Sequence, residues 1–114
     1  TSLMVEMMKF SGKNSTEYSD NKISLYSAQL GKCGITEIEF QCLEDIHCHH
    51  KIPKCKGGTD KYSNLVLILE PIHKLIHTTN KDIIAKYLEA LRLKKSQLDK
   101  VNAYRQLAGL ESIA

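Results

Sequence analysis

The sequence predicts an α+β domain whose centre runs strand, loop, strand, helix, with additional flanking helices. Two short apolar stretches, Ile46 to Ile52 and Leu65 to Leu69, enclose Lys56-Gly57-Gly58-Thr59-Asp60, which has the composition of an exposed turn. Glu70-Pro71 restarts the chain directly after the second stretch, and proline is well tolerated in the first turn of a helix. Beyond Asn80, apolar residues recur at helical spacing.

Taken in order, Ser11 to Asp20 is polar and turn-rich and is expected to be loop or linker with no core element. Asp20 or Asn21 then caps a short helix carrying Ile23, Leu25, Tyr26 and Leu30, which Gly31 stops. Cys33, Ile35, Ile38 and Phe40 alternate irregularly with polar residues, as a turn followed by a strand would. The first strand of the central unit ends at Pro53, and Leu65 to Leu69 is apolar enough to be buried on both faces. A helix holding Ile83, Ile84, Tyr87, Leu88 and Leu91 follows, with Thr78, Thr79 or Asn80 as its cap. A last helix packs Leu98, Val101, Tyr104 and Leu107 into the core and closes at Gly109. Residues 1–20 are thus expected to be a linker or upstream segment and residues 21–114 one domain, in keeping with a length of 114 residues.

Composition narrows the function classes. No run of about 18 apolar residues exists to span a membrane, and Glu6 interrupts Leu3-Met4-Val5 before it resembles a secretion signal. Thr1 in first position is expected of an excised or processed piece. Cys33, Cys42, Cys48 and Cys55 are therefore read as reduced thiols, small buried apolar residues of an intracellular, cytoplasmic protein. The net charge of +3 is mild. Between Lys81 and Arg105, however, Lys81, Lys86, Arg92, Lys94, Lys95, Lys100 and Arg105 face only Asp82, Glu89 and Asp99. Such a stretch is either a phosphate-binding surface or a solvated face.

All five histidines lie between residues 47 and 77. His73 and His77 are four apart, so a helix puts them on one face, within reach of one metal or one phosphate. Upstream stand Cys48-His49-His50-Lys51-Ile52-Pro53, then Gly57-Gly58, then Tyr62-Ser63-Asn64-Leu65-Val66. In residue types and spacing, His50 to His77 resembles the HNH endonuclease family, whose fold is a β-hairpin packed on a helix around one divalent metal, the ββα-metal core. The resemblance implies His50 as general base, Asn64 as the residue that tethers the loop and orients that base, and His49, His73 and His77 around the metal. His77 holds metal or phosphate in different members. His49 and His50 are neighbours, and neighbours on a regular strand point to opposite faces, so a bulge or a strand end is required. His47 alternates with His49 and stays open as the ligand in its place.

Phosphodiester hydrolysis needs an activated water, a cation for the charge building on the phosphate and leaving oxygen, and fixed geometry. An imidazole titrating near neutrality suits the base. The implied cofactor is one divalent ion, Mg²⁺ or Mn²⁺, with Zn²⁺ or Ni²⁺ able to take the histidine site in crystals. Where many members place the second cysteine pair of a structural zinc, this chain has Leu69 and Ile72. A structural zinc is therefore not expected.

Three further segments, Leu25 to Cys33, His73 to His77 and Leu98 to Leu110, are similar to the endonuclease domain that ends group II intron reverse transcriptase/maturases. That likeness implies nicking of one DNA strand during intron mobility (retrohoming) in a bacterial or organellar setting. The implied partners are double-stranded DNA, a reverse transcriptase/maturase region of the same polypeptide and intron RNA, with no membrane. The competing reading is a non-catalytic DNA-binding or docking module of a larger intron-encoded protein.

Overall fold

A computed structural model describes residues 16–113 together with Leu3 and Met7. Its described elements are helix α1 (Thr16–Ala28), strand β1 (Ile46–His50), strand β2 (Leu65–Leu69) and helices α2 (Glu70–His77), α3 (Lys81–Leu91) and α4 (Lys95–Leu107), with three single 3-10 turns between them. The architecture is α+β, an antiparallel hairpin with a helix following directly from its second strand.

The hairpin ladder is unbroken from Ile46 opposite Leu69 to His50 opposite Leu65. Beyond His50 the ladder stops, because the Asn64 side chain takes over the backbone of Ile52: its Oδ1 accepts from the Ile52 N–H at 2.9 Å and its Nδ2 donates to the Ile52 carbonyl at 3.1 Å. The first strand is therefore two residues shorter than the sequence suggested. β2 is buried as expected from Leu65 to Ile68, between α1 and α2. Its outer edge is closed by a side chain: Gln29 donates to the Leu67 carbonyl at 2.9 Å and accepts from the Leu67 N–H at 3.0 Å. An amide thus imitates a third strand on an edge that would otherwise be an exposed template for pairing.

Two expectations need correction. Cys33 to Gln41 is a loop with a single bridge between Lys32 and Glu39, and Glu37 takes a positive φ of 64°. Cys33, Ile35 and Phe40 are buried while Ile38 points out, so the segment plugs the core without becoming a strand. Helix α1 begins at Thr16, inside the stretch expected to be linker, with Ser19 buried. Met7 also belongs to the core; apart from it and Leu3, the linker expectation for residues 1–15 lies outside the described residues.

α3 is capped as expected, the Asn80 side chain accepting from the N–H groups of Asp82 and Ile83. α4 buries Val101, half-buries Leu98 and Tyr104, and leaves Leu107 exposed, contrary to its expected place in the core. Arg105, expected on the basic surface, is buried. Its guanidinium donates to the carbonyls of Leu75, Ile76 and Thr78 at 2.8 to 3.3 Å and to that of Glu111 at 2.7 Å. It satisfies the carbonyls left unpaired where α2 ends, and so ties α4 to the helix bearing His73 and His77.

Candidate metal and catalytic site

The adjacent histidines His49 and His50 part company at the strand. His49 points toward α2, where an (i, i+4) pair brings His73 and His77 to the same face. One ring nitrogen from each of the three lies within 4.8 Å of the others. Among the described residues this is the group of three that could hold a metal ion. The rings stand edge-on to one another, with centroids 5.3 Å apart for His49 and His73, 5.2 Å for His49 and His77 and 4.7 Å for His73 and His77.

His49 is 1% exposed, and its Nε2 is the buried side-chain polar atom, among the described residues, that has no hydrogen-bond partner. A buried nitrogen without a partner costs about 1 to 3 kcal/mol, a cost that a bound cation removes. Burial, helped by the positive neighbours His73 and His77 would become, pushes the His49 pKa down to about 3. The same two causes, with burial again first, bring His73 down to about 4. His77 is lowered as well, by burial and then by Arg105. All three rings are thus neutral at physiological pH and offer lone pairs, the form in which imidazole binds metal. Tyr104 closes the floor, its ring 5.3 Å from that of His49.

His47 meets His73 from outside the cluster, with 3.1 Å between the two Nδ1 atoms. Between His47 and His49, the geometry brings His49 into the three-histidine group.

His50 reaches the site by the strand-end route: it is the last residue of β1, and no bulge interrupts the ladder. It shares with His49, His73 and His77 a cleft of about 210 Å³, whose rim adds Cys48, Pro53 and Lys54. Its Nε2 lies 2.8 Å from Oδ1 of Asp60. The Tyr18 ring stacks on it, the planes 4° from parallel and the centroids 5.6 Å apart. Asn64 does not touch His50 in these hydrogen bonds. Its amide joins Ile52 to the Thr59 carbonyl, accepted at 2.9 Å, and so staples the loop shut.

That loop explains the two adjacent glycines. Gly57 has φ 90°, and a Cβ on Gly58 would lie 1.7 Å from the Ile52 carbonyl oxygen. Only glycine allows this approach.

Residues 31–78 match the family model of the HNH endonucleases. The matched segment holds both strands, the stapled loop and α2, and leaves α1, α3 and α4 outside it. No curated protein and no solved structure matches the chain.

Within the matched segment, Asp60 reads from sequence as part of an exposed turn, and its position between Gly-Gly and the motif asparagine is the signal that could have found it. Tyr18 and Asn21 lie outside the segment, on α1, and no spacing announced them. Asn21 donates to the Asp60 carbonyl at 2.8 Å. The cysteines divide: Cys33 is buried, Cys48 half-buried, and Cys42 and Cys55 are exposed. The reading of all four as buried apolar residues fits Cys33 and fails for Cys42 and Cys55.

Proposed function

We propose that this chain is a metal-dependent endonuclease that hydrolyses phosphodiester bonds of double-stranded DNA. The observation that carries the proposal is the buried Nε2 of His49, without a partner among the described residues, in a cluster with His73 and His77 and next to a fourth histidine that opens on the same cleft. His49, His73 and His77 would hold one divalent cation, Mg²⁺ or Mn²⁺ in the cell, which supplies positive charge for the phosphate and leaving oxygens.

The remaining work falls to the chain. His50 accepts a proton from water as the water oxygen forms its bond to phosphorus, and the phosphorus bond to one ester oxygen breaks. That oxygen leaves with a proton drawn from solvent, and His50 returns its own. Asn64 holds the loop that faces His50. The exposed Lys81, Lys86, Arg92, Lys94, Lys95 and Lys100 give α3 and α4 a positive surface for sequence-independent contact with the DNA backbone.

We extend the reading to nicking of one strand in group II intron mobility. The likeness of Leu25 to Cys33, His73 to His77 and Leu98 to Leu110 to maturase endonuclease domains supports it. Two of those segments have defined work here: Gln29 closes the β2 edge and Arg105 ties α4 to the histidine helix.

The test is conversion of supercoiled plasmid to the open circle with Mg²⁺ or Mn²⁺, before and after His50→Ala. The wild type is expected to nick only with metal, and the variant to lose activity while still binding DNA. Salt-sensitive DNA binding without turnover by the wild type, alone and joined to a reverse transcriptase region with its RNA, would end the catalytic reading.

A further inference from the structure

Asp60 sits in the loop beyond Gly57-Gly58, yet its side chain is only 15% exposed. Both carboxylate oxygens are committed. Oδ1 lies 2.8 Å from His50 Nε2, and Oδ2 accepts from Lys54 Nζ at 3.2 Å. Its backbone is held too, the carbonyl by Asn21 of α1 and the preceding carbonyl, that of Thr59, by Asn64. A loop acid fixed from four directions is not a solvated turn residue.

The chemistry of the contact decides what it does to His50. A carboxylate can only accept, so the hydrogen between the two groups belongs to Nε2 of the imidazole. In the neutral ring the lone pair is then on Nδ1, which becomes the atom able to take a proton from water. When it does, the imidazolium forms against a negative charge 2.8 Å away. The Tyr18 ring, parallel to the imidazole, limits rotation that would exchange the two nitrogens. With its other oxygen, Asp60 draws the Lys54 ammonium to the rim of the same cleft.

The geometry points to Asp60 as the positioning residue of the general base: its carboxylate fixes the tautomer and orientation of His50 and steadies the imidazolium formed in the reaction. The inference rests on the endonuclease reading for its kinetic consequence but not for its structural one.

The test combines kinetics with a spectroscopic measurement. In plasmid nicking, Asp60→Ala is expected to lower kcat about 100-fold, within the range of a general base's contribution. KM and the affinity for Zn²⁺ measured by calorimetry should stay within about twofold of wild type, because the lost interaction matters in the transition state. Asp60→Asn, which keeps an acceptor of the same shape without the charge, should recover part of the loss. Adding Asp60→Ala to His50→Ala should cost nothing further, since residues that act as a unit are not additive. ¹⁵N NMR of His50 should place the hydrogen on Nε2 in the wild type and in Asp60→Asn, and show a mixture of tautomers in Asp60→Ala. If Asp60→Ala fails to fold, Asp60→Asn carries both measurements. An unchanged kcat, a loss confined to KM or Zn²⁺ affinity, an additive double variant or a wild-type His50 with its hydrogen on Nδ1 would each overturn the proposal. A wild type that never nicks DNA ends the endonuclease reading, and the NMR result still decides the role of Asp60.

Discussion

The two sides of β1 carry the candidate chemistry by different means. On one side, His49 is buried, its Nε2 has no hydrogen-bond partner among the described residues, and burial keeps it neutral beside His73 and His77 of α2. On the other, His50 is partly buried and held by a carboxylate, a stacked tyrosine and a stapled loop. The first side is an arrangement of lone pairs suited to a cation, and the second is an arrangement of partners that leaves one nitrogen available. Consecutive residues on a strand can serve different ends because their side chains point to different faces and meet different elements.

The strongest way to break this comparison is to exchange the expected losses. His50→Ala should reduce nicking by about 10³-fold or more while leaving Zn²⁺ affinity near that of the wild type. His49→Ala should reduce both, with a metal affinity loss above the roughly 100-fold that outer partners of metal ligands cost. Calorimetry and plasmid nicking on the same preparations measure the two. Zn²⁺ should also raise the thermal midpoint of the wild type and not that of His49→Ala, since an ion that binds only the folded state stabilises it. Equal metal loss in both variants would mean that the two sides are not separate.

The sides also differ in how far the sequence disclosed them. The metal side depends on local periodicity: His73 and His77 share a helix face whatever surrounds them, and the apolar run Leu65 to Leu69 places that helix beside β1. Those regularities are legible at short range. The His50 side depends on contacts across 10 to 39 residues. Asp60 comes from a loop, and Tyr18 and Asn21 come from a helix whose first turn reads as linker because its residues are polar. Arg105 reads as surface charge for the same reason: its partners are backbone carbonyls, which no side-chain pattern reveals.

One substitution on each side should cost about 3 kcal/mol in urea denaturation, by different routes. Arg105→Met removes a buried fork of charged hydrogen bonds and leaves the carbonyls of Leu75 and Thr78 without it. Its effect should reach the metal side, because those carbonyls belong to the end of the helix that carries His77. Gly58→Ala forces a methyl group to within 1.7 Å of the Ile52 oxygen, so the stapled loop must open, a penalty of the overpacking kind. It should depress nicking and spare Zn²⁺ affinity. A Gly58→Ala protein that lost its metal affinity would show the loop supporting both sides.

Acid should act through the metal side. His49 and His73 have folded pKa values of about 3 and about 4, below the ordinary value of 6.5. As pH falls through 6.5, the unfolded chain takes up protons that the folded chain refuses, so the folded state loses stability. The loss runs at roughly 1.4 kcal/mol per pH unit for each such histidine until its folded pKa is reached. Urea midpoints of the metal-free protein should therefore fall between pH 6.5 and 4. In His49→Ala the slope should shrink by the share of one group. An unchanged slope would place the acid sensitivity elsewhere.

The smallest expected effect is at Tyr18, which belongs to the His50 side but lies outside the matched HNH segment. Its stacked ring contributes about 1 kcal/mol beyond its buried area, and burial followed by the neighbouring Cys48 raises the pKa of its hydroxyl, keeping it neutral. Tyr18→Phe keeps the ring, so nicking should stay near wild type if stacking is what matters. Tyr18→Leu fills similar space without a parallel π face, so it should lower kcat several-fold and stability by about 1 kcal/mol, with Zn²⁺ affinity unchanged. If Tyr18→Phe lowers kcat as much as Tyr18→Leu, the hydroxyl and its link to Cys48 and Asp60 hold the base, and α1 acts on His50 through a hydrogen bond instead of a ring.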